Sequence, residues 1–394
     1  MIAPFSDLKV LDLSSRFAGS FCSRLLADFG AEVYKGVMPG TSDVSMTYGP
    51  MFEGSDGSME SGMYHYLNLN KKSVKAIPSL QNFQAVLRNL DILIADFSNA
   101  ENDTKYAKSI FQNMSDEALI CSITAFGKDA QWAGRPYSDF TIQALSSYCS
   151  VNGLEGSPPL KEPGTETEFI TGANAFTGLV SAIMHRDLTG VGQTLNTSIL
   201  HSTLSSYSPY LLAALYTGEP RKQQEQGLHF GLVPCRDGYV SMSVRHEPTW
   251  ENLWIFFGEP EFSLNEKFDS TARRRKNEEE LSEILIPKLK EFSRQELLLG
   301  LSPLRILVGP ANSIEDLVRD GHLQERETFH HYNIGTQLTF PSNPIKMSQT
   351  PPKLDGSAPP IDDCDLVDHL RFQDLIATSA EITNGTSDNK KGPL

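Results

Sequence analysis

Apolar residues recur in this chain with two spacings. A short run from Leu8 to Leu13, with Val10 and Leu11 inside it, predicts a strand. Phe17, Phe21, Leu25 and Phe29 then recur at helical spacing, flanked by Ala18, Cys22 and Leu26, and predict a helix with one apolar face. Ser14 and Ser15 stand where an N-cap is expected, and Gly30 where a C-cap glycine is. Ala31 to Tyr34 reads as the next strand, and such a β-α-β opening calls for a parallel sheet. Asp91 to Phe97 and Leu119 to Phe126 continue as apolar strands around a charged, helical segment. G-x-G-x-x-G is missing from the opening, so it carries no dinucleotide fingerprint. Strand ends in such sheets gather ligands.

Further along, Phe176, Leu179, Val180, Ile183 and Met184 predict a helix from Thr171 to Arg186. Gly172, Ala173, Ala175, Gly178, Ser181 and Ala182 keep its girth thin, so another backbone can approach closely. Gly190-Val191-Gly192 is its stop and turn. Glu168 lies just before the expected first turn, where the helix dipole favours a carboxylate. It either decorates a helix start or is a nucleophile held as an anion.

The same patterning divides the chain. Residues 1–201 read as a large domain, 202–227 as a linker, 228–322 as a small domain, 323–375 as a return to the large domain and 376–394 as a disordered tail. Gly40 to Ser61, rich in Gly, Ser, Met and Asp, reads as a mobile loop. Cys235 to Ser243 predicts a turn and a strand, and Trp250 to Phe257 and Glu278 to Phe292 predict helices. Pro310 to Glu315 reads as a loop entering a capped helix, and Phe340 to Pro352 as extended chain.

Composition narrows the function. The 394 residues carry a net charge of -15, which argues against a general nucleic-acid binder or an anionic membrane surface as partner. Any anionic ligand must be held by local basic residues or helix starts. No apolar run approaches membrane-spanning length, and the opening MIAPFSDLKV lacks a signal-peptide layout. The 5 cysteines are scattered without C-x-x-C, so reduced thiols in a cytoplasmic protein are expected, with no zinc site. His229, His246, His330 and His331 make no ligand spacing, and no metal is expected.

With these residues in view, the chain resembles the class III coenzyme A transferases, the carnitine-related and formyl/oxalate-CoA transferase type. The likeness is carried by Leu11-Asp12-Leu13-Ser14, Ala18-Gly19, and Leu26 through Lys35 read as L-A-D-F-G-A-E-V-Y-K. It continues through Asn68-Leu69-Asn70-Lys71-Lys72-Ser73, Ile123-Thr124-Ala125-Phe126-Gly127, Thr171-Gly172 and Thr189-Gly190-Val191-Gly192-Gln193. Asp237-Gly238-Tyr239-Val240 and Gly309-Pro310-Ala311-Asn312-Ser313 complete it. The resemblance implies an α/β fold: a Rossmann-like large domain with a parallel sheet, a smaller α+β domain, and two chains interlocked as a homodimer. It implies acyl-CoA:carboxylate CoA transfer with coenzyme A as co-substrate, no metal and no ATP. The family's nucleophile is an aspartate three positions before the Thr-Gly, a place held here by Glu168. Arg16, Ala18, Lys71, Lys72, Phe97, Lys105 and Arg135 are the positions that the resemblance points to for holding CoA and the reacting groups.

The chain departs from the family pattern at several points. Gly36-Val37-Met38 replaces an acidic-basic pair, Asp96-Phe97-Ser98-Asn99-Ala100 replaces a Phe-x-Pro-Gly segment, and Phe17 stands where some members have Gln. In Tyr137-Ser138-Asp139, Ser138 takes the place of the histidine that racemases of this fold use. Two other readings therefore stay open: a partner subunit, binding CoA or supporting an active homologue, and an acyl-CoA racemase or epimerase. The identity of the acyl group has no signature in the sequence.

Overall fold

The computed structural model describes residues 2–37, 41–55, 57–74, 87–96, 110, 112–128, 131–153, 156–206, 208–218, 232–244, 247–333, 337–353 and 356–359. The expected tail, Phe97 and Lys105 lie outside the described residues.

Six strands form one parallel sheet. In chain order they are β1 (Lys9–Asp12), β2 (Glu32–Gly36), β3 (Lys72–Val74), β4 (Ile92–Ala95), β5 (Leu119–Thr124) and β6 (Gln193–Ser198). Across the sheet they lie in the order β3-β2-β1-β4-β5-β6, with Leu11 of β1 opposite Tyr34 of β2 and Leu93 of β4. The chain thus winds outward from β1, then returns past it to β4. The winding direction reverses between β1 and β4, and beyond the carboxyl ends of such a pair a doubly wound sheet has its ligand crevice.

Strand alternation sorts the core. Val10, Val33, Ile92, Ile94, Leu119, Cys121 and Ile123 join one cluster, shared with helix α1 (Phe17–Asp28) and a long helix over Glu166–Thr189. Leu11, Tyr34, Leu93 and Ala95 point into the other, with Leu87, Leu90 and Ile110. Strands β3 and β6 were not foreseen. One has only three residues, and the other, QTLNTS, is an edge strand without the apolar run of a doubly covered one.

Two short helices matter for the site: α2 (Gly62–Asn68), and α3 (Asp139–Leu145), which opens in a Ser138–Thr141 capping box. Helix α4 runs Glu166–Thr189, longer than its apolar stripe suggested. Its start is fixed by a neighbouring element: Asp139 accepts hydrogen bonds from the Thr167 N–H (3.2 Å) and hydroxyl (2.6 Å). Glu168 therefore sits inside the first turn, a correction to its expected place before it. Gly190, at φ 70°, ends the helix as expected. A Cβ on Gly172 would lie 2.6 Å from the Ala18 carbonyl oxygen, so α1 and α4 cross with their backbones nearly touching. Phe169 packs beside that crossing, 5.0 Å from the Phe21 ring.

Gly40 to Ser61, expected as a mobile loop, carries a 3-10 turn at Val44–Thr47 and a hairpin of Met51–Glu53 with Met59–Ser61. Asp43 fixes the turn by accepting from the Ser45 N–H at 2.8 Å. The polar composition marked turns here. Helices α5 (Ile199–Ser206) and α6 (Ser208–Thr217) occupy the first part of the stretch read as a linker.

By internal contacts the chain forms two units: Met1–Tyr148, Lys161–Gly218 and Glu327–Leu394 in the first, Cys149–Leu160 and Glu219–Arg326 in the second. The later segment is tied to α1 by Asn343 Nδ2, which donates to buried Asp28 at 3.1 Å, and by the Lys353 N–H, which donates to the Asp28 carbonyl at 2.7 Å. The second unit has a three-stranded antiparallel sheet of Leu232–Cys235, Gly238–Ser243 and Leu307–Pro310. Its core gathers Trp250, Trp254, Phe268, Leu285, Leu289 and Leu297.

Candidate active site

Polar residues that end apolar strands have nowhere to go but the crevice, and they fill it with charge. Asp12, at the end of β1, is wholly buried. Its Oδ2 accepts from the Ser23 hydroxyl (2.6 Å) and Lys71 Nζ (3.0 Å), and pairs with Lys35 at 3.7 Å. Lys35, on β2, also donates to the Ser14 carbonyl and to Ser20 Oγ (3.0 Å), and pairs with Asp43 at 3.0 Å. Lys71 further donates to the Ser20 carbonyl (2.9 Å) and to Asn68 Oδ1 (2.9 Å). Burial opposes ionisation of Asp12, but Lys35 and Lys71 outweigh it and hold its carboxyl well below the usual range. Burial pulls Lys71 down to about 8 against the attraction of Asp12. Lys35, facing two carboxylates, is held above its usual value despite its own burial.

Next to this cluster, Asp96 follows β4 and receives the Ser15 N–H at 2.8 and 2.9 Å. Desolvation pushes it up to about 7, only partly offset by the Ser15 amide and Lys35, although the residue keeps some surface open. Ser15 is thereby drawn away from the capping role expected of it. Helix α1 has Arg16 at its N-cap, with no side-chain cap bond of its own.

The missing cap comes from α4. Glu168 Oε2 accepts the Phe17 N–H at 2.9 Å and lies 3.4 Å from the Ala18 nitrogen. Its Oε1 receives Arg16 Nε (3.0 Å) and Nη2 (2.5 Å). One buried carboxylate thus closes the positive end of α1 and pairs with a guanidinium. Arg16 lies over the Tyr137 ring, its Cζ 4.4 Å from the centroid. Burial, reinforced by the negative charge of Glu168, raises the Tyr137 phenol above its usual value, so it stays protonated. The arrangement sets a buried carboxylate, a guanidinium beside it and two backbone amides at one of its oxygens, groups able to serve acyl transfer.

Of the residues singled out in the sequence, the structure brings Arg16, Ala18 and Glu168 together. Lys71 lies in the adjacent interior with its ammonium spent on Asp12, Ser20 and Asn68, turned away from solvent. Lys72 is exposed on β3 and pairs with Glu32. Arg135 is exposed, 5.6 Å from the Trp132 ring. Ser138 and Asp139 are engaged at the starts of α3 and α4. Sequence reasoning gave no role to Asp12, Lys35, Asp43, Asp96 or Tyr137. The first two stood inside the quoted motifs, and the usable signal was a polar residue at the end of an apolar strand.

The profile of CoA-transferase family III matches residues 5–363. The chain is 25% identical over 370 residues to the succinate–glutarate CoA-transferase of Agrobacterium fabrum, covering 90% of this chain and 92% of that one. It is 27% identical over 377 residues to the succinyl-CoA:mesaconate CoA-transferase of Haloarcula hispanica, covering 91% and 93%. In fold it is similar to a CAIB/BAIF family protein from Brucella suis, with a TM-score of 0.83 at 23% identity, covering 97% of this chain and 100% of that one. With its sequence matched almost from end to end, the chain belongs to CoA-transferase family III.

Proposed function

We propose that this CoA-transferase moves CoA between an acyl-CoA thioester and a free carboxylic acid through a glutamyl-CoA thioester at Glu168. The observation that carries this reading is the seat of the Glu168 carboxylate: buried at the sheet's switch point, on the first amides of α1. In the first step a Glu168 oxygen attacks the thioester carbonyl, the C–S bond breaks and CoA leaves as thiolate. The thiolate then attacks the glutamyl Cδ of the mixed anhydride, and the acid departs as carboxylate. An incoming acid repeats the exchange in reverse. An oxyanion forms at Cδ when the thiolate adds to the anhydride, and the Phe17 and Ala18 amides already at Oε2 are the natural donors for it.

One thioester is exchanged for another, so the cycle needs no ATP. The named relatives act on succinate, glutarate and mesaconate, which supports a short dicarboxylic acid as acceptor here. For the CoA phosphates, Lys72 and Arg135 are the exposed cations among the described candidates, with Lys105 beside them in the expected set; Phe97 would flank the adenine. We further infer an interlocked homodimer working in the cytoplasm. A homologous second subunit is the alternative assembly, and light scattering on the purified chain distinguishes the two.

The test is direct. Incubation with succinyl-, glutaryl- or butyryl-CoA, digestion and peptide mass spectrometry should find CoA on Glu168, released by hydroxylamine. Glu168→Gln should lose the adduct and at least about 10⁴-fold in exchange rate. An unmodified peptide under turnover, or full-speed exchange by the variant, would sink the reading. A partner-subunit role predicts the former.

A further inference from the structure

We propose that Arg16 binds the reacting carboxylate of the free acid, taking it up whenever Glu168 is converted to a neutral thioester. The assignment rests on the glutamyl-CoA reading above.

Several observations converge on it. The Arg16–Glu168 pair is lopsided: the Glu168 side chain is 1% exposed and that of Arg16 25%, so of the two only the Arg16 side chain reaches solvent. Arg16 is also the cation paired with Glu168 among the described residues, since Lys35 and Lys71 are turned toward Asp12. Both bonding Arg16 nitrogens converge on Oε1, while the α1 amides serve Oε2. The two oxygens are thus already told apart. Finally, the guanidinium rests on the Tyr137 ring, a seat that does not depend on Glu168 being charged.

Following the atoms gives the role. Oε1 attacks the acyl carbon, a C–O bond forms, and CoA leaves as thiolate with the C–S electron pair. The thiolate adds to Cδ, the Cδ–Oε1 bond breaks, and the acid departs carrying that same oxygen and the negative charge. Glu168 is now neutral, and Arg16 has lost its partner but not its position. The carboxylate nearest to it is that of the acid just formed, or of the acid that replaces it. A single cation therefore pairs with the reacting anion at each carboxylate stage, first on the enzyme and then on the substrate. Because it grips the reacting carboxylate, it acts on mono- and dicarboxylic acids alike.

The test separates acid binding from thioester binding. Isotopically labelled succinate, glutarate and butyrate are followed by mass into their own CoA thioesters, with wild-type protein, Arg16→Gln and Arg16→Lys. Arg16→Gln should raise KM for the free acid about 10- to 100-fold, the loss expected for a charge-assisted bond. It should slow Glu168 labelling by the thioester, in the absence of acid, by a clearly smaller factor, because the α1 amides still hold the carboxylate. Arg16→Lys should fall between, and added guanidinium ion should restore part of the acid-dependent rate of Arg16→Ala. An unchanged acid KM overturns the assignment. So does a loss confined to dicarboxylic acids, or an equal loss of thioester labelling, which would mark Arg16 as a prop for Glu168. Failure of the wild-type protein to form the adduct removes the nucleophile and this role with it. Normal labelling with a normal acid KM in Arg16→Gln removes this role alone.

Discussion

Glu168 carries its carboxylate one methylene further from the backbone than an aspartate would, and Arg16, Phe17 and Ala18 meet it at that length. Glu168→Asp should therefore not restore a better enzyme. Withdrawal of the carboxylate by about one ångström from the α1 amides should slow exchange about 10²-fold, read as kcat with the adduct still detectable. A rate equal to wild type would show that the extra methylene has no positional role. At this scale the sequence pointed at Glu168 through its distance from Thr171-Gly172, and at Arg16 through its place beside a helix start. It gave no hint that Lys71 points inward, because Lys71 and Lys72 are the same residue type and only their neighbours in space distinguish them. Asp12, 59 positions away in the chain, decides the matter.

At the scale of elements, the site depends on how closely α1 and α4 approach. Gly172→Ala places a methyl 2.6 Å from the Ala18 carbonyl oxygen, inside contact distance with backbone that cannot rotate away. The helices must separate, at a cost of about 1–3 kcal/mol in unfolding free energy. Since Ala18 belongs to the turn that holds Glu168, exchange should fall with the thermal midpoint; an unchanged midpoint would contradict the close crossing. The stripe of small residues announced this approach from the sequence. The ends of α4 were less legible, because its start is set by Asp139, an acceptor on another element. Strands β1, β2, β4 and β5 were readable from their apolar runs, whereas β3 and β6, short or at an edge, had no run to read.

For the whole molecule, the winding order could be anticipated only as a parallel sheet; which strands flank the crevice follows from topology, not from local pattern. That order puts carboxylates of unlike character side by side, and pH dependence follows. Asp96 loses its proton near the ordinary value of 3.8 when unfolded but near about 7 when folded. Across that window the folded chain holds more protons, so this group makes stability fall as pH rises. Asp12 acts in the opposite sense, its contribution being lost as pH drops below the ordinary carboxylate range. Asp96→Asn should flatten the decline in urea midpoint between about pH 4 and 7. A decline as steep as in the wild-type protein would place its origin elsewhere.

The contacts of Lys71 have one more consequence. Its single ammonium joins β1 through Asp12, α1 through the Ser20 carbonyl and α2 through Asn68. Pulling Lys71 away from Asp12 strands a charge away from water, at a cost of about 3–5 kcal/mol. The base of the cleft is in effect a keystone that cannot yield during turnover, so whatever gives way to admit a bulky thioester must give way at the lip.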